Sequence, residues 1–235
     1  MTSYATNLLG GGLYPLVQAA RLVGVEPRSV RRWLKGYSWN HRDGRSSSGP
    51  LWTLQYANDE ELGAEQVLGF YDLLELRAIA KFIEHGVPLE VIRATIDQAT
   101  QEFGPHPLHT QRFMTDGRKV FHEAIELTGQ HNLVDFKGKQ IVFDAVIRPS
   151  LFAGIDYTTS GQAQRWFPVQ GRKVIVLDPR KQFGEPIIAD AGVPTDTIAA
   201  AVKAEGGDRK RVAKLYRVTP VAVDAAVNYE RRLAA

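Results

Sequence analysis

Residues 15–35 read PLVQAARLVGVEPRSVRRWLK, and the fold turns on this stretch. Pro15 suits a helix start, and Val17, Ala20 and Leu22 fall toward one side of the pattern that follows. Gly24 provides a left-handed backbone position without steric cost and stops that helix, with Val25 as a buried turn residue after it. Pro27 opens a second helix at its first position, where a missing N–H costs nothing. Val30, Trp33 and Leu34 then repeat at i, i+3, i+4, the spacing of a buried face. Arg28, Ser29, Arg31, Arg32 and Lys35 occupy the remaining surface. Two short helices around a glycine turn, with arginines crowding the second, predict a helix-turn-helix. Arginine pairs bidentately with guanine in the major groove, while serine and lysine hold phosphates.

The next residues extend this reading. Gly36 to Pro50 is rich in glycine and serine and contains Arg42 and Arg45, with Tyr37 and Trp39 near its start and Trp52 just after it. Such a segment predicts a hairpin wing, with Arg42 and Arg45 suited to backbone phosphate. The competing reading is an ordinary helical hairpin with solvated arginines. Helix, turn, helix and wing in that order favour the DNA reader. Charge points the same way. Over the 235 residues the net charge is only +3, but residues 11–57 hold seven basic groups against two acidic ones. A second excess lies at 203–217, where Lys203, Arg209, Lys210, Arg211, Lys214 and Arg217 face Glu205 and Asp208. Clustered positive charge binds polyanions by counterion release, which an even spread would not do.

Composition excludes several classes. A hydrophobic fraction of 44% with 23% charged residues is that of an ordinary globular protein. No cysteine is present, which excludes disulfides and thiolate metal sites and suits a reducing cytoplasm. Met1 to Gly12 resembles no signal peptide, and no apolar run reaches the ~20 residues of a membrane span. No phosphate-cradling glycine loop, nucleophile elbow or metal-ligand spacing is present, so an enzyme is the least expected class and no cofactor is implied. His106, His109, His122 and His131 are too irregularly spaced for a metal site.

Residues 67–85 predict an apolar-rich helix in which Phe70, Leu73, Leu74, Arg77, Ala78, Lys81 and Phe82 alternate core and solvent, with Gly86 ending it. Pro88 begins another, with Leu89, Ile92, Ile96, Ala99 and Phe103 as its stripe. From Tyr14 to about Phe103 the chain resembles the DNA-binding domain of MerR-type regulators. The matching pieces are Ala19-Ala20-Arg21-Leu22-Val23-Gly24-Val25, Arg28-Ser29-Val30-Arg31, Phe70 to Arg77, and Gly86 to Arg93. The resemblance implies DNA contacts from Arg28, Ser29 and Arg31, with Arg42 and Arg45 on the wing. The chain departs from that family after Phe103, where Gly104-Pro105-His106-Pro107 breaks any helix. The family's long dimerisation helix and cysteine-bearing sensor site are therefore not expected.

The middle reads as mixed structure. Asp116-Gly117 within Phe113 to Phe121 predicts a hairpin, as does Leu133 to Phe143. Ala163 to Phe167 and Lys173 to Leu177 suggest strands, and Arg148 to Gly154 a helix. Further on, Thr195 is the expected N-cap of a helix running to Glu205, and Asp208 that of the next. Here the first module is echoed: Ala20, Arg21, Leu22, Val25, Pro27 and Val30 match Ala213, Lys214, Leu215, Val218, Pro220 and Val223 at a constant offset of 193. A second helix-turn-helix-like unit is predicted. Its second helix carries Val221, Asp224 and Val227 rather than arginines, so it suits packing and dimerisation better than groove reading.

Asp178-Pro179-Arg180, Phe183-Gly184, Pro186-Ile187 and Pro194-Thr195, followed by these helices, resemble a small helical domain of certain bacterial antitoxins. A MerR-like reader joined to it resembles VapB-type antitoxins. That resemblance implies a VapC-type PIN-domain ribonuclease as partner, autorepression at operator duplex DNA, and a homodimer through the C-terminal helices. The expected architecture is α+β: a winged helix-turn-helix with a helix pair over 13–104, a small mixed β region over 105–177, and a three-helix domain over 178–235. A ligand-responsive MerR-type regulator and an architectural DNA protein remain the alternatives.

Overall fold

The computed structural model describes residues 10–41, 44–129, 143 and 148–234, with the backbone alone for 37–41 and 44–47. The fold is α+β, with ten α-helices, one hairpin and a four-stranded sheet among the described residues. They gather into two compact units, one of residues 14–153 with 158–163, the other of 10–13, 154–157 and 164–234.

In the first unit, α1 (Leu16–Val23) buries Leu16, Ala19, Ala20 and Leu22. Val17, expected to face inward, is 51% exposed. The helix starts at Leu16, so the i, i+3, i+4 stripe begins there and turns Val17 outward. Gly24 ends α1 at φ 80°, donating its N–H to Ala20 O at 2.9 Å, and Val25 is half-buried rather than buried. Helix α2 (Pro27–Lys35) begins on its proline and buries Val30, Trp33 and Leu34. Strands β1 (Tyr37–His41) and β2 (Gly44–Ser48) pair antiparallel from Tyr37↔Ser48 to His41↔Gly44, the expected hairpin. After α3 (Glu60–Glu65), Leu68 and Tyr14 exchange backbone hydrogen bonds of 2.9 Å, joining the start of the unit to α4 (Phe70–Glu84). Helix α5 (Leu89–Phe103) follows on Pro88.

The expected hairpin at Asp116-Gly117 is instead helix. A short 3-10 turn (Pro107–His109) leads into α6 (Gln111–Leu127), capped by Thr110 Oγ1, which accepts from Phe113 N at 3.2 Å. Phe113, Gly117, Val120, Phe121, Ala124 and Ile125 form its buried face, and α6 packs along α5. Gly117 is there for packing: a Cβ would lie 2.8 Å from the Phe113 ring. Helical periodicity over seventeen residues thus overrides a two-residue turn signal. The second expected hairpin, Leu133 to Phe143, lies outside the described residues except for Phe143, whose ring packs on those of Phe121 and Phe113. Helix α7 (Arg148–Phe152) forms where expected.

The second unit contains the sheet, in order β3 (Ile155–Tyr157), β4 (Ala163–Trp166), β5 (Ile175–Leu177) and β6 (Pro186–Ile188), with β4–β5 and β5–β6 antiparallel. Helices α8 (Thr195–Ala204), α9 (Arg209–Tyr216) and α10 (Pro220–Leu233) pack as a three-helix domain against β5 and β6. Thr195 is the first helical residue rather than the cap, which is Pro194; its buried hydroxyl donates instead to Glu230 on α10. Asp208 caps α9 as expected, accepting from Arg211 N at 2.9 Å. No described helix is long and apolar enough to cross a membrane.

Candidate nucleic-acid interface

On a helix, residues at i, i+3, i+4 and i+7 lie on one face. Arg28, Arg31, Arg32 and Lys35 have that spacing on α2, and all four are exposed. The buried trio Val30, Trp33 and Leu34 occupies the opposite face, and Ser29 sits half-buried at the edge of the stripe. Part of this arrangement favours the helix, because Arg32 and Lys35 stand in the last turn, where the dipole favours a cation. The rest works against it. Like charges at these spacings each cost about 0.2–0.5 kcal/mol, and Arg28 stands in the first turn, where the helix dipole disfavours a cation. Burying each of the large apolar side chains contributes about 1.5–3 kcal/mol, so the helix persists despite the repulsion. Among the described residues, no carboxylate pairs with Arg28, Arg31 or Lys35. Such a face suits a polyanion.

The hairpin leaves α2 through Gly36, at φ 71°, where a Cβ would fall 2.1 Å from Ser48 O. Only glycine fits this crossing. Leu51 N donates to Trp33 O at 2.8 Å, and Arg93 of α5 donates to both Gly49 O and Pro50 O at 2.8 Å. Of the two wing arginines, Arg42 lies outside the described residues, and for Arg45 the strand position alone is described, opposite Asn40. Arg93 closes one of the stretches that carry the resemblance, but nothing in the sequence signalled its contact with the hairpin, whose accepting carbonyls lie more than forty residues away.

The chain leaving the hairpin is fixed by Asp72, which is wholly buried at the start of α4. Its carboxylate accepts from Trp52 Nε1 at 2.9 Å, Gln55 N at 2.9 Å and Gly69 N at 2.8 Å, and lies 2.7 Å from His106 Nε2. Burial opposes charge on His106, but the hydrogen bond and charge of Asp72, with Glu75 behind them, hold it above the usual histidine range. Glu75 is fully buried, accepts from Leu108 N at 3.1 Å, and is pushed up to about 8 by that burial. Burial, then the neighbouring His106, presses His109 down to about 3; its ring stacks on Tyr71 at 4.8 Å. Of the four histidines, His109 is thus a core residue, and His106 is half-buried against Asp72. Arg77, expected to alternate toward solvent, is buried, donating to the carbonyls of Leu151, Ser150 and Ala153 at the end of α7.

In the second unit, α9 and α10 repeat the backbone device of α1 and α2. Arg217 takes the left-handed place of Gly24, at φ 54°, and Val218 N donates to Ala213 O at 3.0 Å as Val25 N does to Ala20 O at 2.9 Å. Pro220 starts α10 as Pro27 starts α2. The surfaces differ. The places of Arg28, Arg31, Arg32 and Lys35 are taken by Val221, Asp224, Ala225 and Asn228, and Asp224 pairs with Arg209. Leu215 is 63% exposed where its counterpart Leu22 is 8%. On α10 these four places hold no cation and Val221 is exposed, while α9 keeps exposed Arg209, Lys210, Arg211 and Lys214 around Leu215; the α10 face suits protein contact better than a phosphate backbone.

Residues 175–229 match a family described as "Protein of unknown function (DUF433)". A Mycobacterium tuberculosis protein named "Putative antitoxin VapB45" is 28% identical over 218 residues, 88% of this chain and 89% of that protein. The crystal structure of Rv2018 from Mycobacterium tuberculosis superposes with a TM-score of 0.66 at 25% identity, covering 91% of this chain and 96% of the other. The likeness therefore spans both units, and the chain resembles an antitoxin over most of its length.

Proposed function

We propose that this chain is a non-enzymatic, DNA-binding antitoxin. Its MerR-like reader, residues 13–104, recognises operator duplex through Arg28, Ser29, Arg31, Arg32 and Lys35, with Arg42 and Arg45 of the wing on phosphate, and so represses its own operon. Its partner is a VapC-type PIN-domain ribonuclease, and the chain dimerises through the C-terminal helices. The observation that carries the DNA reading is the four-cation stripe opposite Val30, Trp33 and Leu34. The antitoxin reading is supported by similarity to the VapB45 protein over 88% of this chain.

Co-expression of the chain with its neighbouring reading frame tests the partner. A nuclease is expected to co-purify with it and to arrest growth when expressed alone. Absence of both co-purification and toxicity contradicts the antitoxin reading. A second reading, an effector-responsive regulator, has one observation behind it: an open, polar surface groove lined by Glu102, Thr115, Asp116, Arg118, Lys119 and Arg148. It predicts operator affinity that changes with a small charged ligand and no toxic partner.

A further inference from the structure

We infer that Arg93 is the positioning residue of the hairpin: it sets where the wing stands beside α2 and so whether the wing reaches the duplex backbone. The inference rests on the DNA-binding reading above. A two-stranded ribbon has little stability of its own and takes its direction from its root. Here the root is tied in three ways. Gly36 crosses Ser48 and Gly49 too closely for any side chain, Leu51 N is held by Trp33 O, and Arg93 reaches from α5 to two successive carbonyls, Gly49 O and Pro50 O. The first two ties join the hairpin to α2. Of the three, Arg93 joins it to the helix pair behind, at the strand exit itself; the next tie to that pair, Trp52 to Asp72 of α4, comes two residues further on.

The chemistry of that tie is specific. A guanidinium presents parallel N–H donors in a rigid fork, so two donors at 2.8 Å fix both the position and the rotation of the exit strand. A lysine ammonium is a point charge with no such planar fork. Both acceptors are neutral carbonyls, so the work of Arg93 is geometric rather than charge neutralisation. It is half-buried on α5, between Ile92 and Ala94.

Arg93→Met and Arg93→Lys in the full chain test this by hydrogen exchange and DNA titration. Without DNA, amide exchange across 37–48 is expected to speed about tenfold in both variants, with α1, α2 and the unfolding midpoint unchanged. Affinity should fall about tenfold on operator and random duplex alike, and the slope of log affinity against log salt should shrink by about one to two phosphate contacts. Added to Arg42→Ala/Arg45→Ala, Arg93→Met should cost nothing further, because the wing contacts are already gone. Unchanged hairpin exchange overturns the inference. So does full affinity in Arg93→Lys, which would make the residue a charge contact, or an additive loss in the combined variant. If the wild-type chain binds no duplex while the exchange result holds, the DNA reading fails and the positioning of the hairpin stands.

Discussion

His106 Nε2 lies 2.7 Å from Oδ1 of Asp72, a carboxylate with no exposed surface. Because the folded pKa of His106 is raised, the pair contributes stability that is complete below the unfolded histidine value of 6.5 and is lost as pH rises through the folded value. Glu75 acts in the same direction: unfolded it ionises near 4.5, while folded it keeps its proton to about 8, so stability declines between the two. His109 opposes them. It is neutral when folded, and stability is lost as pH falls from 6.5 toward about 3. Glu75→Gln should therefore flatten the stability curve between pH 4.5 and 8, and His109→Phe its acid limb. Urea unfolding across a pH series checks both, and a Glu75→Gln curve parallel to wild type would contradict the assignment.

The two matching helix pairs, α1–α2 and α9–α10, yield substitutions of opposite sign at equivalent places. Gly24 and Arg217 both hold left-handed backbone, at φ 80° and 54°. Gly24→Ala should destabilise the first unit by about 1 kcal/mol, because an L side chain is strained there. Arg217→Gly should stabilise the second by about 0.5–1 kcal/mol, less the extra unfolded-state freedom of glycine. Thermal unfolding of the full chain reads both. A stabilising Gly24→Ala would mean that the turn geometry is wrong.

Arg77 is a buried cation satisfied by three carbonyls of residues 150–153. Arg77→Met keeps the length of the side chain but leaves those carbonyls without their donor. A cost of about 1–3 kcal/mol is expected, together with faster amide exchange in α7. Unchanged exchange there would show that α7 is held by its apolar contacts, Leu151 foremost.

Much of the first unit was legible because its signals are local. Gly24, Pro27 and the Val30, Trp33, Leu34 spacing act within one or two turns, and the arginine stripe follows from helical geometry alone. The offset of 193 carried the same device to Arg217 and Pro220. What failed did so where longer-range packing decides. Asp116-Gly117 suggested a turn, but Phe113 folds over Gly117 and the buried face of α6 continues through it. Thr195 had the residue type of a cap, but its hydroxyl is claimed by Glu230, thirty-five residues on. The buried set Asp72, Glu75 and Arg77, with half-buried His106 against it, was not visible for the same reason, since a polar residue in a helical pattern reads as surface until its partners are known. Arg93 belongs with them.

The central claim is that α2 reads duplex DNA with its cationic face. The most direct test is a titration of wild type, Arg31→Ala and Arg42→Ala against the upstream operator and a random duplex at several salt concentrations. Specific binding is expected of wild type, with a loss of about 1–3 kcal/mol of discrimination in Arg31→Ala. Arg42→Ala should weaken both duplexes alike and reduce the salt slope by about one. Wild-type behaviour in both variants would contradict the assigned face, and absence of any duplex binding by wild type would contradict the claim itself.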